Sequence, residues 1–69
     1  MKLQNVGTGN LVNINVGDTW YVKLPQAQCV ISAKILELSL QTVLLQFESD
    51  NSKPSRYITF EINWVEKLS

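Results

Sequence analysis

The chain has 69 residues, which suits one domain near the lower limit at which a single apolar core offsets chain entropy without disulfides or metals. Six basic residues balance six acidic ones, so the electropositive field of a nucleic-acid binder is missing, and with no histidine there is no Ser/His/Asp, Cys/His or His-based metal chemistry. Hydrophobic residues at 45% against 17% charged exclude disorder, and a lone cysteine, Cys29, excludes an internal disulfide and points to a cytoplasmic setting.

The opening "MKLQNVGTGN" carries no secretory pattern and is expected to be flexible. Its "GTG" at Gly7 to Gly9 lacks both the preceding strand and the following residues of a phosphate-binding loop. No apolar run approaches the ~20 residues of a membrane span, so a soluble chain with no membrane partner is expected. Leu11 to Asn15, "LVNIN", alternates apolar and polar and reads as a short edge-like strand ending at the Val16-Gly17-Asp18 turn. Thr19 to Leu24, "TWYVKL", is β-branched and aromatic and stops at Pro25, whose missing N–H suits a strand end. Neighbours on a strand face opposite ways, so Trp20 and Tyr21 cannot both be core. Trp20, as the larger filler, is assigned inward with Val22 and Leu24, which leaves Tyr21 and Lys23 outside; the alternative puts Tyr21 in and Trp20 and Val22 out.

Gln26 to Gln28 reads as a loop, and Cys29 to Ser39 as a long bent strand with Ile31, Ala33 and Ile35 on one face. A helix over Ala33 to Leu40 is the alternative, but no capping pair opens it and its neighbours are strands. Cys29, beside Val30 and Ile31 with no basic neighbour, is expected to be a buried or half-buried apolar side chain. Thr42 to Glu48, "TVLLQFE", is the clearest strand, with Val43, Leu45 and Phe47 facing the core alongside Ile35 and Trp20. Leu44 then points outward, and with Leu36 and Leu38 it forms an apolar stripe that argues for self-association, a homodimer or larger. Ser49 to Ser55, "SDNSKPS", is a hydrophilic hairpin loop by composition; Arg56 to Glu61 resumes the extended pattern, and Ile62 to Trp64 is read as one 3₁₀ turn before a last strand "VEKL".

These elements make a single all-β domain over residues 1–69: a small, partly open barrel of five or six antiparallel strands with one short 3₁₀ turn near the C-terminus. The "GD" turn before an early strand, the central "TVLLQF" and the terminal "YITFEINWVEKL" resemble the SH3-like small barrels in strand order and turn placement. The pattern "GDTWY…TVLLQF…RYITFEINWVEKL" is also similar to small proteins of bacteriophages and mobile elements. The SH3-like resemblance implies a ligand groove lined by aromatics at Tyr21, Tyr57 and Trp64, open to a peptide or to stacked bases. The competing reading has Tyr57 and Trp64 closing the barrel ends. Plasmid-borne type II dihydrofolate reductases share this architecture and build one site at the centre of a tetramer, but they carry a Gln-Ile-Tyr segment where this chain has Ile58-Thr59-Phe60. The ligand-contacting amide is missing, so only the tendency to assemble carries over.

Asp18 is read as a turn former, Glu37 and Glu48 as strand-end residues, Asp50 as loop, and Glu61 and Glu66 as an exposed face, which leaves no acid–base pair in a cleft. The expectation is therefore a non-catalytic protein-binding or accessory module of phage or mobile-element type, with no cofactor and no metal. The alternatives are a nucleic-acid-binding barrel, which needs Lys23, Lys34, Arg56 and Lys67 on one face, and an oligomeric enzyme with an inter-subunit site.

Overall fold

Seven strands and one 3₁₀ turn follow one another in a computed structural model that describes residues 1–48 and 53–68. They are β1 (Lys2–Gln4), β2 (Leu11–Asn13), β3 (Thr19–Lys23), β4 (Ile31–Leu38), β5 (Thr42–Phe47), β6 (Ser55–Ile58), the turn Thr59–Glu61, and β7 (Asn63–Lys67). The protein is all-β and antiparallel throughout: β1 and β2 form a hairpin, and the other five strands form one sheet in the order β6-β5-β4-β3-β7. That sheet does not close, because β6 and β7 are its two edges. No helix among the described residues is long and apolar enough to cross a membrane.

Residues 1–10, expected to be flexible, are built into the fold. Leu3 is buried, and β1 pairs Leu3 with Val12 while the Ile14 N–H donates to the Met1 carbonyl at 2.7 Å. The hydrophobic alternation of the second segment does its work two residues further on, where Ile14 enters the core beside Leu3. Asn5 follows β1 and is 3% exposed. Its Nδ2 donates to the Trp64 carbonyl, its Oδ1 accepts from the Gly7 N–H at 2.9 Å, and its backbone exchanges bonds with Asn10 and Gly9. A Cβ at Gly7 would overlap the Asn63 carboxamide of β7, so a larger residue here requires that side chain to move.

The Asn15–Asp18 turn is closed by Asp18 N–H to the Asn15 carbonyl at 3.2 Å, with Gly17 third at φ 95°, a type II arrangement that favours glycine. From it β3 carries Trp20 and Val22 inward and Tyr21 outward, as strand parity requires. Ala33 and Ile35 of β4, Val43 and Leu45 of β5, and Ile62 and Trp64 complete the core. The bent β4 is a strand along its whole length, and the bend has a cause. Ile35 pairs with Leu45 but Glu37 pairs with Leu44, so Leu36 is an extra residue, a β-bulge.

That bulge corrects the expected apolar stripe. Beyond it the parity of β4 is reversed, Leu38 sits opposite Val43 and packs against the core, and Leu36 is half-buried at the bulge itself. A second bulge, at Val65, lets Trp64 pair with Val22 and Glu66 with Tyr21. The 3₁₀ turn is also displaced from its expected place: it occupies Thr59–Glu61, and Trp64 lies in β7. Thr59 explains the position, being fully buried and bonded to the β4–β5 turn through its N–H to the Gln41 carbonyl at 3.0 Å and its hydroxyl to the Leu40 carbonyl at 2.9 Å.

Phe47, expected to share the core with Ile35 and Trp20, packs on its margin instead, edge-on to Tyr57 with ring centroids 6.0 Å apart. Phe47→Ala is accordingly expected to cost about 2 kcal/mol, below the 3–5 of a fully buried phenylalanine, as read from the urea midpoint. A loss above about 4 kcal/mol would place the ring at the centre after all. The hydrophilic segment 49–55 falls outside the described residues at positions 49–52, and its last member, Ser55, opens β6. Cys29, expected to be buried or half-buried, is exposed, because β4 begins only at Ile31 and leaves it in the preceding loop.

Candidate functional site

β3 ends at Lys23, and the chain turns over Leu24 to Ala27, where the Ala27 N–H donates to the Leu24 carbonyl at 3.1 Å. Pro25 stands second in that turn, the position its fixed φ suits, so the segment forms a firm wall. Facing it are Tyr57 of β6 and Glu61 of the 3₁₀ turn. Between these two sides lies an open groove of about 430 Å³, lined by Leu24, Pro25, Gln26, Ala27, Tyr57 and Glu61.

Each side of the groove is anchored to the core. Tyr57 stands opposite Val43 and leans on Phe47, so its ring is held while part of it remains open to the groove. Glu61 is placed by the buried residues around it: Thr59 fixes the start of the turn, and Ile62, fully buried, fixes its end. Leu24 packs against the core from the other side. The apolar surface comes from Leu24, Pro25, Ala27 and the tyrosine ring. The polar ends come from Gln26, Tyr57 and Glu61, and none of these three side chains has a hydrogen-bond or ion-pair partner among the described residues. An apolar trough with a few convergent unpaired polar groups is the usual make-up of a recognition site. The one formal charge in the lining is negative.

Of the aromatics assigned to a groove, only Tyr57 is there. Tyr21 is exposed on the outer face of β3, between Ser32 and Glu66. Trp64 is a correction: it is 1% exposed, edge-on to Trp20 with centroids 5.8 Å apart, and cannot meet a partner. The bulge at Val65 and the long-range pairing with β3 put it inside.

The outward leucine of β5 has a cover of its own. Glu37, Leu44 and Arg56 form a row across β4, β5 and β6, and Arg56 Nη2 meets Glu37 Oε2 at 2.8 Å, so the arginine stem spans the strand that carries Leu44. Leu44 is half-buried as a result. With Leu38 turned inward, the three-leucine stripe does not form. The largest exposed apolar residues nearby are instead Leu40 at 67%, Ile58 at 49% and Phe60 at 52%, which surround the Thr59 anchor.

The four cations do not make one field. Arg56 is paired with Glu37, and Lys67 Nζ lies 3.7 Å from Asp18 Oδ1. Lys23 and Lys34 are exposed on β3 and β4, with Lys34 opposite Thr19 at the far end of β3 from Lys23. No three His, Cys, Asp or Glu side chains among the described residues gather closely enough to hold a metal ion.

Sequence reasoning missed most of the groove. Pro25 was legible as a strand end and Gln26 to Ala27 as loop, but nothing local tied them to Glu61. Compared with protein-family models, characterised proteins and solved structures, the chain matches none of them.

Proposed function

We propose that the protein is a non-catalytic protein-binding module, an accessory protein of the phage or mobile-element kind, that takes an extended peptide segment of a partner in the groove between Leu24–Ala27 and Tyr57–Glu61. The observation that carries this reading is the groove itself, with its apolar wall and three polar side chains lacking a hydrogen-bond or ion-pair partner within the described residues. Glu61 gives it a preference: a peptide with a Lys or Arg over the groove gains an ion pair that a neutral peptide lacks. Such a site is too open to hold water away from a reacting bond, which favours binding over catalysis.

Random peptides displayed on phage and panned on the protein test the reading. Enrichment of sequences with a basic residue among apolar ones is expected, and Glu61→Lys should weaken the best of them by about tenfold or more, roughly 1.4 kcal/mol. Glu61 is exposed, so the variant should fold. Recovery of no sequence above background, or of peptides indifferent to Glu61→Lys, contradicts the assignment.

A further inference from the structure

The groove has a strand edge as one of its borders, and hydrogen-bond geometry shows which backbone groups that edge offers. The Thr59 N–H donates to the Gln41 carbonyl, one residue beyond the facing pair Thr42 and Ile58 on each strand. In an antiparallel ladder this makes Thr42 and Ile58 a non-hydrogen-bonded pair. The alternation then makes Val43 with Tyr57 a bonded pair and Leu44 with Arg56 a non-bonded one. Ile58 and Arg56 therefore direct their N–H and C=O groups away from β5, toward the free edge of the sheet. The Ile58 carbonyl is taken by the Glu61 N–H as the first bond of the 3₁₀ turn, but among the described residues no backbone group answers the Ile58 N–H or either group of Arg56.

Exposed edges are commonly blunted by a proline, an intruding charge or a bulge within the strand. β6 has none of these. Pro54 lies just before it, the two bulges of the sheet belong to β4 and β7, and the one charged side chain, Arg56, is drawn back across the sheet to Glu37. Apolar surface flanks the edge on both sides. Tyr57 turns toward the groove, while Ile58, with Phe60 just beyond, is exposed on the opposite face.

We propose that β6 accepts an added β-strand from a partner protein, a segment of about four residues whose backbone pairs with the N–H and C=O of Arg56 and with the N–H of Ile58 at the usual ~4.8 Å spacing. Its alternate side chains meet the groove on one face and Ile58 with Phe60 on the other. The segment is thus apolar on both faces and carries a Lys or Arg on the groove side, where Glu61 is the only charge and is unpaired among the described residues. This inference rests on the peptide-binding reading and adds the manner of binding, which that reading leaves open.

Two measurements test it, with the tightest peptide recovered from the display as the probe. Amide exchange followed by NMR should show the Arg56 and Ile58 amides exchanging fast in the free protein and slowing about tenfold or more with peptide, while the Tyr57 amide, bonded to Val43, is slow in both. Ile58→Pro deletes only an outward N–H, and the native φ of −82° lies close to the proline range. It should fold and lose the peptide, whereas Ile58→Ala, which keeps the N–H, should weaken binding by a smaller factor. If Ile58→Pro binds as well as Ile58→Ala while Glu61→Lys still weakens binding about tenfold or more, strand addition is wrong and the groove reading stands. Strand addition is equally wrong if the two edge amides stay fast in the complex. Recovery of no peptide overturns both. Edge amides that are protected without peptide, increasingly so with protein concentration, show the edge held by a second copy and overturn the foreign partner.

Discussion

Trp64→Ala is expected to leave much of the protein unfolded at 25 °C. A fully buried tryptophan truncated to alanine costs about 3–5 kcal/mol, and a domain of this length has a total stability of only about 3–10. Trp64 stands where three parts of the chain meet: it pairs with Val22 of β3, lies edge-on to Trp20, and accepts from the Asn5 carboxamide through its carbonyl. Both Trp20 and Trp64 also bury an indole N–H with no acceptor among the described residues. An edge-on pair offers a ring face to at most one of them, so at least one donor is desolvated without return, at about 1–3 kcal/mol. Trp64→Phe should therefore be much milder than the alanine change, since it keeps most of the filler and removes a buried donor. Urea denaturation followed by far-UV circular dichroism separates the three proteins. A Trp64→Ala midpoint close to wild type would show the ring outside the core.

The second large effect is expected at Asn5, and it should depend on pH. Asn5→Asp preserves shape and still accepts from the Gly7 N–H, but the group facing the Trp64 carbonyl changes from a donor to an acceptor. At pH 7 a buried carboxylate opposite a carbonyl, with no cation bonded to it, should cost about 3 kcal/mol or more. The native state thus raises the pKa of the introduced carboxyl above its unfolded value near ~4. A raised acid favours the protonated native form, so the deficit should be smallest below the unfolded pKa, where an O–H can again donate to Trp64, and should grow as pH rises above it. The gap in melting temperature between Asn5→Asp and wild type should therefore narrow from pH 7 to pH ~3.5, while Asn5→Ala shows a gap that pH leaves alone. Equal gaps for Asn5→Asp at both pH values would mean that the side chain is wet and its bond to the Trp64 carbonyl contributes little.

What residue order determines by itself is visible in β3 and β5. Period-two alternation put Trp20 and Val22 inside with Tyr21 outside, and Val43 and Leu45 inside with Leu44 outside, because strand parity is a local property of the backbone. The Gly17-Asp18 turn and the end of β3 before Pro25 were legible for the same reason: each depends on the conformations open to one or two residues. Tertiary structure decided the rest through long-range contacts. Bulges at Leu36 and Val65 follow from how β4 meets β5 and β3 meets β7, and one inserted residue is enough to turn Leu38 from the expected outer stripe to the core. The 3₁₀ turn falls at Thr59 because of bonds to Leu40 and Gln41, which the residues around it do not announce. Asn5 reads as one polar residue in a polar stretch until the fold brings it to the carbonyl of Trp64, 59 positions away. The groove has the same origin: Pro25 and Glu61 carry no mutual signal along the chain, and only the curl of an unclosed sheet sets one before the other.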